Sequence, residues 1–224
     1  MLPWVRLDTA QVPGGGELRL MRRGTEFTIK LGSNELMNSR LTATEQALAT
    51  LACDKIKERP APRILIGGLG MGFTLRAALI VLGRQAHIDV AELVPAVVAW
   101  ARGPMADLFG GSLTDPRVTI HDADVVDMIR AARADYDAIL LDVDNGPNGI
   151  TRKTNDRLYD LAGLAAAHET LRPGGVLAVW SSAPDVKFTA RLRKSGFTAV
   201  ENAVRAKGPQ GRAQHFIWVA TRGA

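Results

Sequence analysis

The sequence predicts a doubly wound, Rossmann-like α/β fold: a seven-stranded, mostly parallel sheet with a small N-terminal β element. From residue 63 onward, short apolar runs alternate with amphipathic segments. Strands that are apolar throughout are typical of a parallel sheet covered by helices on both faces. The first of these runs leads directly into four glycines within residues 67–72. A glycine-rich turn between a strand and a helix is typical of nucleotide-binding sheets.

Composition indicates a globular protein. The chain has 224 residues, of which 46% are hydrophobic and 23% charged, a balance that supports a buried core. No apolar run reaches the roughly 18 to 20 residues of a membrane span, and the N-terminus lacks a signal-peptide pattern. Cys53 is the only cysteine, which excludes an intramolecular disulfide and predicts a core thiol. We therefore expect a cytoplasmic protein.

The positive charge of the chain does not by itself identify a partner. The net charge is +5, and Arg191 and Lys194 lie at helical spacing beside Phe188 and Leu192. This pattern predicts the solvated face of an amphipathic helix, and a basic rim around an anionic or nucleic-acid substrate is the alternative. We expect a small-molecule partner, with no membrane or nucleic-acid partner, and leave a homodimer open.

The N-terminal region, residues 1–58, predicts a unit separate from the α/β domain at 59–224. Pro13-Gly14-Gly15-Gly16 interrupts the chain, so residues 1–16 are expected to form a loose arm. Two short β-rich runs, at 17–21 and 26–31, predict a hairpin.

A helix is expected to follow this hairpin. Thr42-Ala43-Thr44-Glu45 resembles a capping box before an apolar helical face. Pro60 and Pro62 end the helical pattern.

The α/β domain is expected to contain five parallel strands and a terminal hairpin. The strands are predicted at 64–66, 87–91, 118–120, 136–141 and 176–180, and the helices at 75–82, 95–101, 125–132, 155–170 and 186–195. The last two β runs, 198–204 and 214–221, flank a glycine- and proline-containing turn and add an antiparallel edge. The predicted strand order is 3-2-1-4-5-7-6.

The glycine segment is the strongest functional signal. Gly67, Gly68, Gly70 and Gly72 follow a strand and precede a helix, where glycine lets a ligand approach the backbone and the helix N-terminus offers free N–H groups. A dinucleotide fingerprint would need a glycine where Phe73 stands. The G-x-G-x-G pattern instead indicates an S-adenosylmethionine-type ligand, and a purely structural turn is the alternative.

Acidic residues follow the next two strands. Glu92 ends the second strand, where a carboxylate can accept hydrogen bonds from both ribose hydroxyls. Asp124 follows the third strand and is predicted to accept from the adenine amine while Val125 packs on the ring. Asp122 competes for this role, and capping of the next helix by either aspartate is the alternative.

Asp142 and Asp144 end the fourth strand and are the candidate catalytic residues. A carboxylate there can accept a proton from an attacking amine, and a turn acid bonded to the backbone is the alternative. The histidines show no metal-ligand spacing, so no metal is expected.

With these residues placed, the chain resembles the spermidine synthase family of polyamine aminopropyltransferases, on the class I methyltransferase fold. The segments that carry the resemblance are ILIGGLGMGFTLRAAL, VAELVPAVVAWAR, DPRVTIHDADVVDMIR, YDAILLDVDNGPNG and LRPGGVLAVWSS. The resemblance implies that Gly68, Gly70 and Gly72 face the cofactor, Glu92 its ribose and Asp124 its adenine. It also implies that Asp142 deprotonates the attacking amine.

The amine-binding segments depart from that family. Its acceptor loop usually reads D-S-S-D-P-x-G-P, whereas this chain has the shorter Asp142-Val143-Asp144-Asn145-Gly146-Pro147. Its Tyr-His-Glu appears here as Ala43-Thr44-Glu45. We therefore expect poor use of putrescine, although Glu35, Glu45 and Asp144 offer negative charge from new positions.

The sequence thus predicts a spermidine synthase-like transferase with a sulfonium co-substrate and an amine acceptor. The co-substrate is S-adenosylmethionine or its decarboxylated form, and the sequence does not decide between them. An S-adenosylmethionine-dependent methyltransferase is the first alternative. A non-catalytic nucleoside-binding protein on the same fold is the second.

Overall fold

Two β-sheets organise the structure, a computed structural model that describes residues 2–143, 146–147, 156–205 and 214–224. The strands of the smaller sheet are β1 (Val5–Gln11), β2 (Glu17–Arg23), β3 (Glu26–Leu31) and β4 (Asn34–Asn38). The strands of the larger sheet are β5 (Arg63–Gly67), β6 (His87–Glu92), β7 (Val118–Asp122), β8 (Tyr136–Leu141), β9 (Leu171–Ser181), β10 (Phe197–Arg205) and β11 (Gln214–Arg222).

The helices connect these strands and cover the larger sheet. They are α1 (Ala43–Cys53), α2 (Phe73–Val81), α3 (Pro95–Arg102), α4 (Ala106–Phe109), α5 (Val125–Ala131), α6 (Asp156–Tyr159), α7 (Leu161–Thr170) and α8 (Val186–Lys194), with a 3-10 turn at Ser112–Thr114.

The larger sheet confirms the predicted fold class. Its order is β10-β11-β9-β8-β5-β6-β7. Predicted strands 1 to 7 correspond to β5 to β11, so this is the predicted order 3-2-1-4-5-7-6 read from the other edge. The five strands β5 to β9 pair in parallel, while β11 pairs antiparallel with both β9 and β10. The carboxyl ends of β5, β6, β7 and β8 therefore meet at one edge, where open α/β sheets bind ligands.

Two buried clusters hold helices against the two faces of this sheet. One joins α1, α2 and α3 to the sheet and also includes Leu20 and Ile29 of the smaller sheet. The other joins α5, α7 and α8 to the opposite face. On α8, Phe188 and Leu192 are buried and Lys194 is exposed, as the amphipathic pattern predicts. Arg191, predicted on the same solvated face, is half-buried, because its guanidinium contacts Asp185 and lies over the Phe188 ring. The division into units 1–58 and 59–224 stays a prediction.

The prediction of a loose N-terminal arm is wrong for residues 5–11, because these residues form β1 and pair antiparallel with β2. The strand is exposed along nearly its whole length, so it lacks the alternation of apolar and polar residues that marks a half-buried strand. Tertiary contacts hold it instead, because the Trp100 indole N–H donates to Asp8 at 2.7 Å. The small sheet therefore has four strands rather than two.

Three local features also differ from expectation. The side chain of Thr42 makes no capping hydrogen bond, so the expected capping box of α1 does not form. The helix predicted at 155–170 is divided into α6 and α7, since Asp160 caps α7 by accepting from the Gly163 N–H at 2.7 Å. Strand β9 begins at Leu171 rather than at Val176.

Cys53 is fully buried, as predicted. Within the described residues, no helix has the length and apolar character needed to cross a membrane.

Candidate active site

The glycine segment joins β5 to α2 at the carboxyl edge of the parallel strands. Gly68, Gly70 and Gly72 have φ angles of 90°, 50° and 77°, a region that glycine adopts without steric cost. A Cβ on Gly68 would lie 2.6 Å from the carbonyl oxygen of Asp142, and one on Gly72 would lie 2.3 Å from the ring of Phe109. Backbone conformation and lack of space both require glycine at these two positions.

A first cavity, which we name the Glu92 cavity, lies between the glycine segment and the smaller sheet. Gly68 and Gly70 line one side, and Glu92, Asp124 and Asp142 line it from the ends of β6, β7 and β8. Apolar side chains complete the wall, among them Leu18, Ile29, Leu31, Val97 and Val125. The described lining residues include no lysine, arginine or histidine. The cavity thus combines apolar walls with carboxylates at one edge, which suits a nucleoside with hydroxyl and amino groups.

Glu92 is buried in the wall of this cavity, with 8% of its surface exposed. Its Oε2 accepts a hydrogen bond from the Leu69 N–H at 3.0 Å, and its Oε1 accepts from the Val94 N–H at 2.9 Å. Burial raises the pKa of Glu92, and the backbone N–H donors oppose that rise. Because each carboxylate oxygen has a second lone pair, Glu92 can hold the glycine segment and still accept from a ligand.

Asp124 and Val125 line the Glu92 cavity, whereas Asp122 is exposed and lies outside its described lining. Asp124 also caps α5, since its Oδ1 accepts from the Val126 N–H at 2.9 Å. The capping role and a ligand role are compatible, because the second carboxylate oxygen remains available.

A second cavity, which we name the Trp180 cavity, lies on the other side of Gly70. Its described lining contains Glu45, Asp142 and Trp180 together with apolar side chains, which are Leu36, Met37, Leu69, Met71 and Phe73. Asn38 also lines it, but its amide is held by Glu35 and by the backbone N–H groups of Arg40 and Leu41. Glu45 and Asp142 are the only charged residues in this described lining.

Asp142 lines both cavities and has an unusual electrostatic environment. Its Oδ2 accepts a 2.7 Å hydrogen bond from the Thr74 hydroxyl. Burial and then the negative charge of Glu45 raise the pKa of Asp142 to about 7, and the Thr74 hydrogen bond opposes that rise. A carboxylate with a pKa near neutrality is suited to accept and release a proton at physiological pH.

Glu45 is positioned by residues from distant parts of the chain. The Thr44 hydroxyl donates to Glu45 Oε2 at 2.9 Å. The Nδ1 of His215 lies 3.3 Å from that hydroxyl oxygen, and the His215 ring packs edge to face against Trp180 with centroids 4.7 Å apart. Burial raises the pKa of Glu45 and lowers that of His215. Strands β9 and β11 thus support the carboxylate that α1 contributes.

The structure brings together most, but not all, of the predicted site residues. Gly67 lies outside the described lining of both cavities, because it is the last residue of β5, and a Cβ there would meet Val125 and Leu141. Asp144 lies outside the described residues. Glu35 bonds to Thr28 and to Asn38, which lines the Trp180 cavity, but Glu35 itself is not in the described lining of either cavity.

Sequence reasoning missed Thr74 and His215. Thr74 has a detectable signal, since it stands in the first turn of the helix after the glycine segment and so lies near the strand ends. His215 has no such signal, because only the pairing of β9 with β11 places it near the site.

Curated relatives match parts of this chain. Polyamine aminopropyltransferase 1 of Streptomyces coelicolor is 34% identical over 127 residues, which are 56% of this chain and 23% of that protein. The polyamine aminopropyltransferase of Mycobacterium tuberculosis is 32% identical over 182 residues, 79% of this chain and 33% of that protein. Putrescine N-methyltransferase 2 of Nicotiana attenuata is 34% identical over 120 residues, 53% of this chain and 30% of that protein. The chain spans a third or less of the length of these relatives.

Solved structures share the fold over nearly the whole chain. Spermidine synthase from Thermotoga maritima superposes with a TM-score of 0.77 at 19% identity, covering 97% of this chain and 73% of that one. Spermidine synthase in complex with the transition-state analogue AdoDATO has a TM-score of 0.75 at 18% identity, covering 97% and 72%. No protein-family model matches the chain.

Proposed function

We propose that this chain, which belongs to the spermidine synthase family, is a transferase that moves an alkyl group from an S-adenosylmethionine-type sulfonium compound to an amine. The observation that carries the proposal is the position of Asp142, which lines both the Glu92 cavity and the Trp180 cavity. A donor in the first cavity and an acceptor in the second would meet at this carboxylate.

The Glu92 cavity is the proposed nucleoside site. Glu92 would accept hydrogen bonds from the ribose hydroxyls, and Asp124 from the adenine amine, while Val125 packs against the base. Gly68 and Gly70 leave room for the ligand because they lack side chains. Asp142 follows β8, on the opposite side of β5 from Glu92 and Asp124, and the sulfonium would lie beside it.

The charge of the two cavities favours the decarboxylated donor. Their described linings contain Glu45, Glu92, Asp124 and Asp142 but no lysine, arginine or histidine. Among these described residues the carboxylate of S-adenosylmethionine would find no cationic partner, and an unpaired buried charge is costly. A decarboxylated donor carries only positive charge, which these carboxylates complement.

Asp142 is the proposed general base. An alkylammonium keeps its proton up to about pH 10, so the acceptor must lose a proton before it can attack. The Asp142 carboxylate takes that proton, and the neutral nitrogen attacks the carbon bonded to sulfur. The new C–N bond forms as the C–S bond breaks, and its electron pair stays on sulfur as a neutral thioether. The secondary ammonium product leaves, and Asp142 returns its proton to solvent.

Methyl transfer to an amine is the second candidate. The percent identity of this chain to a putrescine N-methyltransferase is the same as that to an aminopropyltransferase, 34% in both cases. The same base and the same in-line attack would serve, with the methyl carbon as the electrophile.

One experiment distinguishes these candidates. The protein is mixed with a panel of amines and with either decarboxylated S-adenosylmethionine or S-adenosylmethionine, and release of methylthioadenosine or S-adenosylhomocysteine is followed. We expect methylthioadenosine release, lost in Asp142→Asn. Release of S-adenosylhomocysteine alone would favour the methyltransferase.

Ligand binding tests the proposal independently of turnover. Methylthioadenosine should raise the melting temperature of the protein by binding its folded state, whereas NAD should not. Calorimetry that detects NAD binding and no binding of any adenosyl-sulfur compound would overturn the assignment.

A further inference from the structure

A chain of hydrogen bonds connects β11 to the Trp180 cavity through the start of α1. The Thr44 hydroxyl donates to Oε2 of Glu45 at 2.9 Å, and Nδ1 of His215 lies 3.3 Å from the same hydroxyl oxygen. Thr44 is buried, with 2% of its surface exposed. Because a buried hydroxyl that loses a partner is destabilising, these contacts hold Thr44 between the carboxylate and the imidazole ring.

The hydrogen atoms along this chain have one consistent arrangement when Glu45 is ionised. A carboxylate only accepts, and the Thr44 hydroxyl has a single hydrogen, which it gives to Glu45. The Thr44 oxygen then accepts from His215, so Nδ1 carries the hydrogen. Nδ1 keeps that hydrogen in the imidazolium form as well. The contact therefore does not depend on whether the His215 ring is protonated.

The His215 ring is itself held in place. It packs edge to face against Trp180, with ring centroids 4.7 Å apart. Strand β11 carries it between β9 and β10, where it pairs with Val204. Burial lowers the pKa of His215, which favours the neutral ring at pH 7. The Thr44 hydroxyl thus faces a fixed donor.

Glu45 in turn acts on Asp142. Both carboxylates line the Trp180 cavity, and the Thr74 hydroxyl lies 2.7 Å from Asp142 Oδ2 and 3.4 Å from the backbone oxygen of Glu45. After burial, the negative charge of Glu45 is the second cause that raises the pKa of Asp142. Burial also raises the pKa of Glu45, and the Thr44 hydrogen bond opposes that rise. Thr44 therefore favours the charged form of Glu45, which is the form that acts on Asp142.

We propose that His215 is a positioning residue for the proposed general base. Acting through Thr44, it keeps the Glu45 carboxylate charged and fixed in the Trp180 cavity. That fixed charge makes Asp142 a stronger base. The inference rests on the proposed function and deepens it, because it names the residues that adjust the base to neutral pH.

The other acidic groups near Asp142 are held separately. In the described part of the chain, the titratable groups that share a cavity with it are Glu45 of α1, Glu92 of β6 and Asp124 after β7. Glu92 bonds to backbone N–H groups of the glycine segment and of the turn after β6, and Asp124 caps α5. A change at His215 leaves those bonds in place and reaches Asp142 through α1.

The pH profile of kcat/KM, measured with the amine that wild type uses best, tests this role. His215→Phe removes the Nδ1–H donor and keeps an aromatic ring against Trp180. We expect its acidic limb to move to lower pH, because Glu45 acts less strongly on Asp142. Glu45→Gln should give the full effect, a shift of about 1 pH unit or more, and His215→Phe a measurable part of it.

Conservative variants should rescue the profile. Thr44→Val should move the acidic limb in the same direction as His215→Phe, and Thr44→Ser should restore it. His215→Asn keeps an N–H donor and should stay close to wild type. A merely structural role of His215 would lower stability in His215→Phe without moving the limb.

Two matched controls lie outside the described cavity linings. Thr50→Val changes a second threonine of α1, whose hydroxyl bonds to the Gln46 carbonyl. His168→Phe changes a second histidine that packs edge to face on an aromatic ring, that of Phe197. Both should leave the acidic limb in place, and melting temperatures check the folding of every variant.

NMR titration of the side-chain carboxyl carbons separates this inference from the proposed function, because it needs no substrate. The Asp142 signal, identified by its loss in Asp142→Asn, should titrate near pH 7 in wild type and at lower pH in His215→Phe. His215→Leu takes its place if that variant does not fold. An unchanged Asp142 titration, or an equal shift in His168→Phe, would overturn the inference even in an active enzyme. The expected shift in a protein that turns over no amine would support the positioning role and overturn the proposed function.

Discussion

The Thr74 hydroxyl donates a 2.7 Å hydrogen bond to Oδ2 of Asp142, across 68 positions of sequence. Thr74 lies in the first turn of α2, directly after the glycine segment, and Asp142 directly follows β8. The bond therefore ties the proposed base to the loop that would bind the donor. It also lowers the pKa of Asp142 against the opposing effects of burial and of Glu45.

Removal of this hydrogen bond should weaken catalysis and move its pH dependence. In Thr74→Val we expect kcat/KM to fall roughly ten- to hundredfold. The acidic limb should move to higher pH, because the donor that lowers the pKa of Asp142 is lost. Thr74→Ser keeps the donor and should restore both properties. A pH profile of kcat/KM that is identical in wild type and Thr74→Val would contradict this role.

Neutralising Asp142 should abolish turnover but stabilise the fold at alkaline pH. The folded-state pKa of about 7 lies above the ordinary value of 3.8. The stability that this group contributes is thus fully present below about pH 4 and is lost as pH rises through 7. The test is to measure the melting temperatures of Asp142→Asn and wild type at pH 5 and at pH 8.5. The melting temperature of the variant relative to that of wild type should be higher at pH 8.5 than at pH 5. An equal difference at both pH values would mean that the pKa is not raised.

Loss of Glu92 should weaken nucleoside binding far more than loss of Asp142. Glu92→Ala removes the proposed ribose acceptor and leaves the N–H groups of Leu69 and Val94 without their carboxylate partner. We expect roughly ten- to hundredfold weaker binding of methylthioadenosine by calorimetry, and a smaller change in Asp142→Ala. Glu92→Gln keeps the shape of the side chain but only one of its two acceptor oxygens, so the melting temperatures of both variants serve as the control for folding. Normal binding by a folded Glu92→Ala protein would remove the ribose assignment.

Gly72 and Gly110 allow backbone strain to be separated from steric overlap. Both have positive φ angles, of 77° and 54°, but a Cβ on Gly72 would meet Phe109 at 2.3 Å while one on Gly110 would meet nothing within 4 Å. Gly110→Ala should therefore cost about 1 to 2 kcal/mol from conformation alone. Gly72→Ala should cost about 1 to 3 kcal/mol more from overpacking. Denaturant unfolding of both variants measures the difference, and equal losses would show that the Phe109 ring moves aside.

Much of the larger sheet was predictable because its signals are local. The run at 64–66 is apolar at every position, and the glycines that follow need no knowledge of the rest of the chain to indicate a ligand loop. The rule that parallel strands meet at one edge then brings Glu92, Asp124 and Asp142 near that loop. Strand β1 escaped prediction because its exposed sequence carries no apolar alternation, and contacts such as Trp100 with Asp8 hold it in place.

By itself, the sequence determined the α/β architecture, the strand order, the family and the acidic residues at three strand ends. These follow from hydrophobic periodicity, from the backbone freedom of glycine and from the general geometry of parallel sheets. Only the tertiary structure decided that Asp124 rather than Asp122 lines the Glu92 cavity, that Glu45 and Thr74 lie beside Asp142, and that His215 lies beside Thr44. The physical reason is that each of these relationships joins residues far apart in the chain, so it depends on how α1, α2 and β11 pack against the sheet and not on any local pattern.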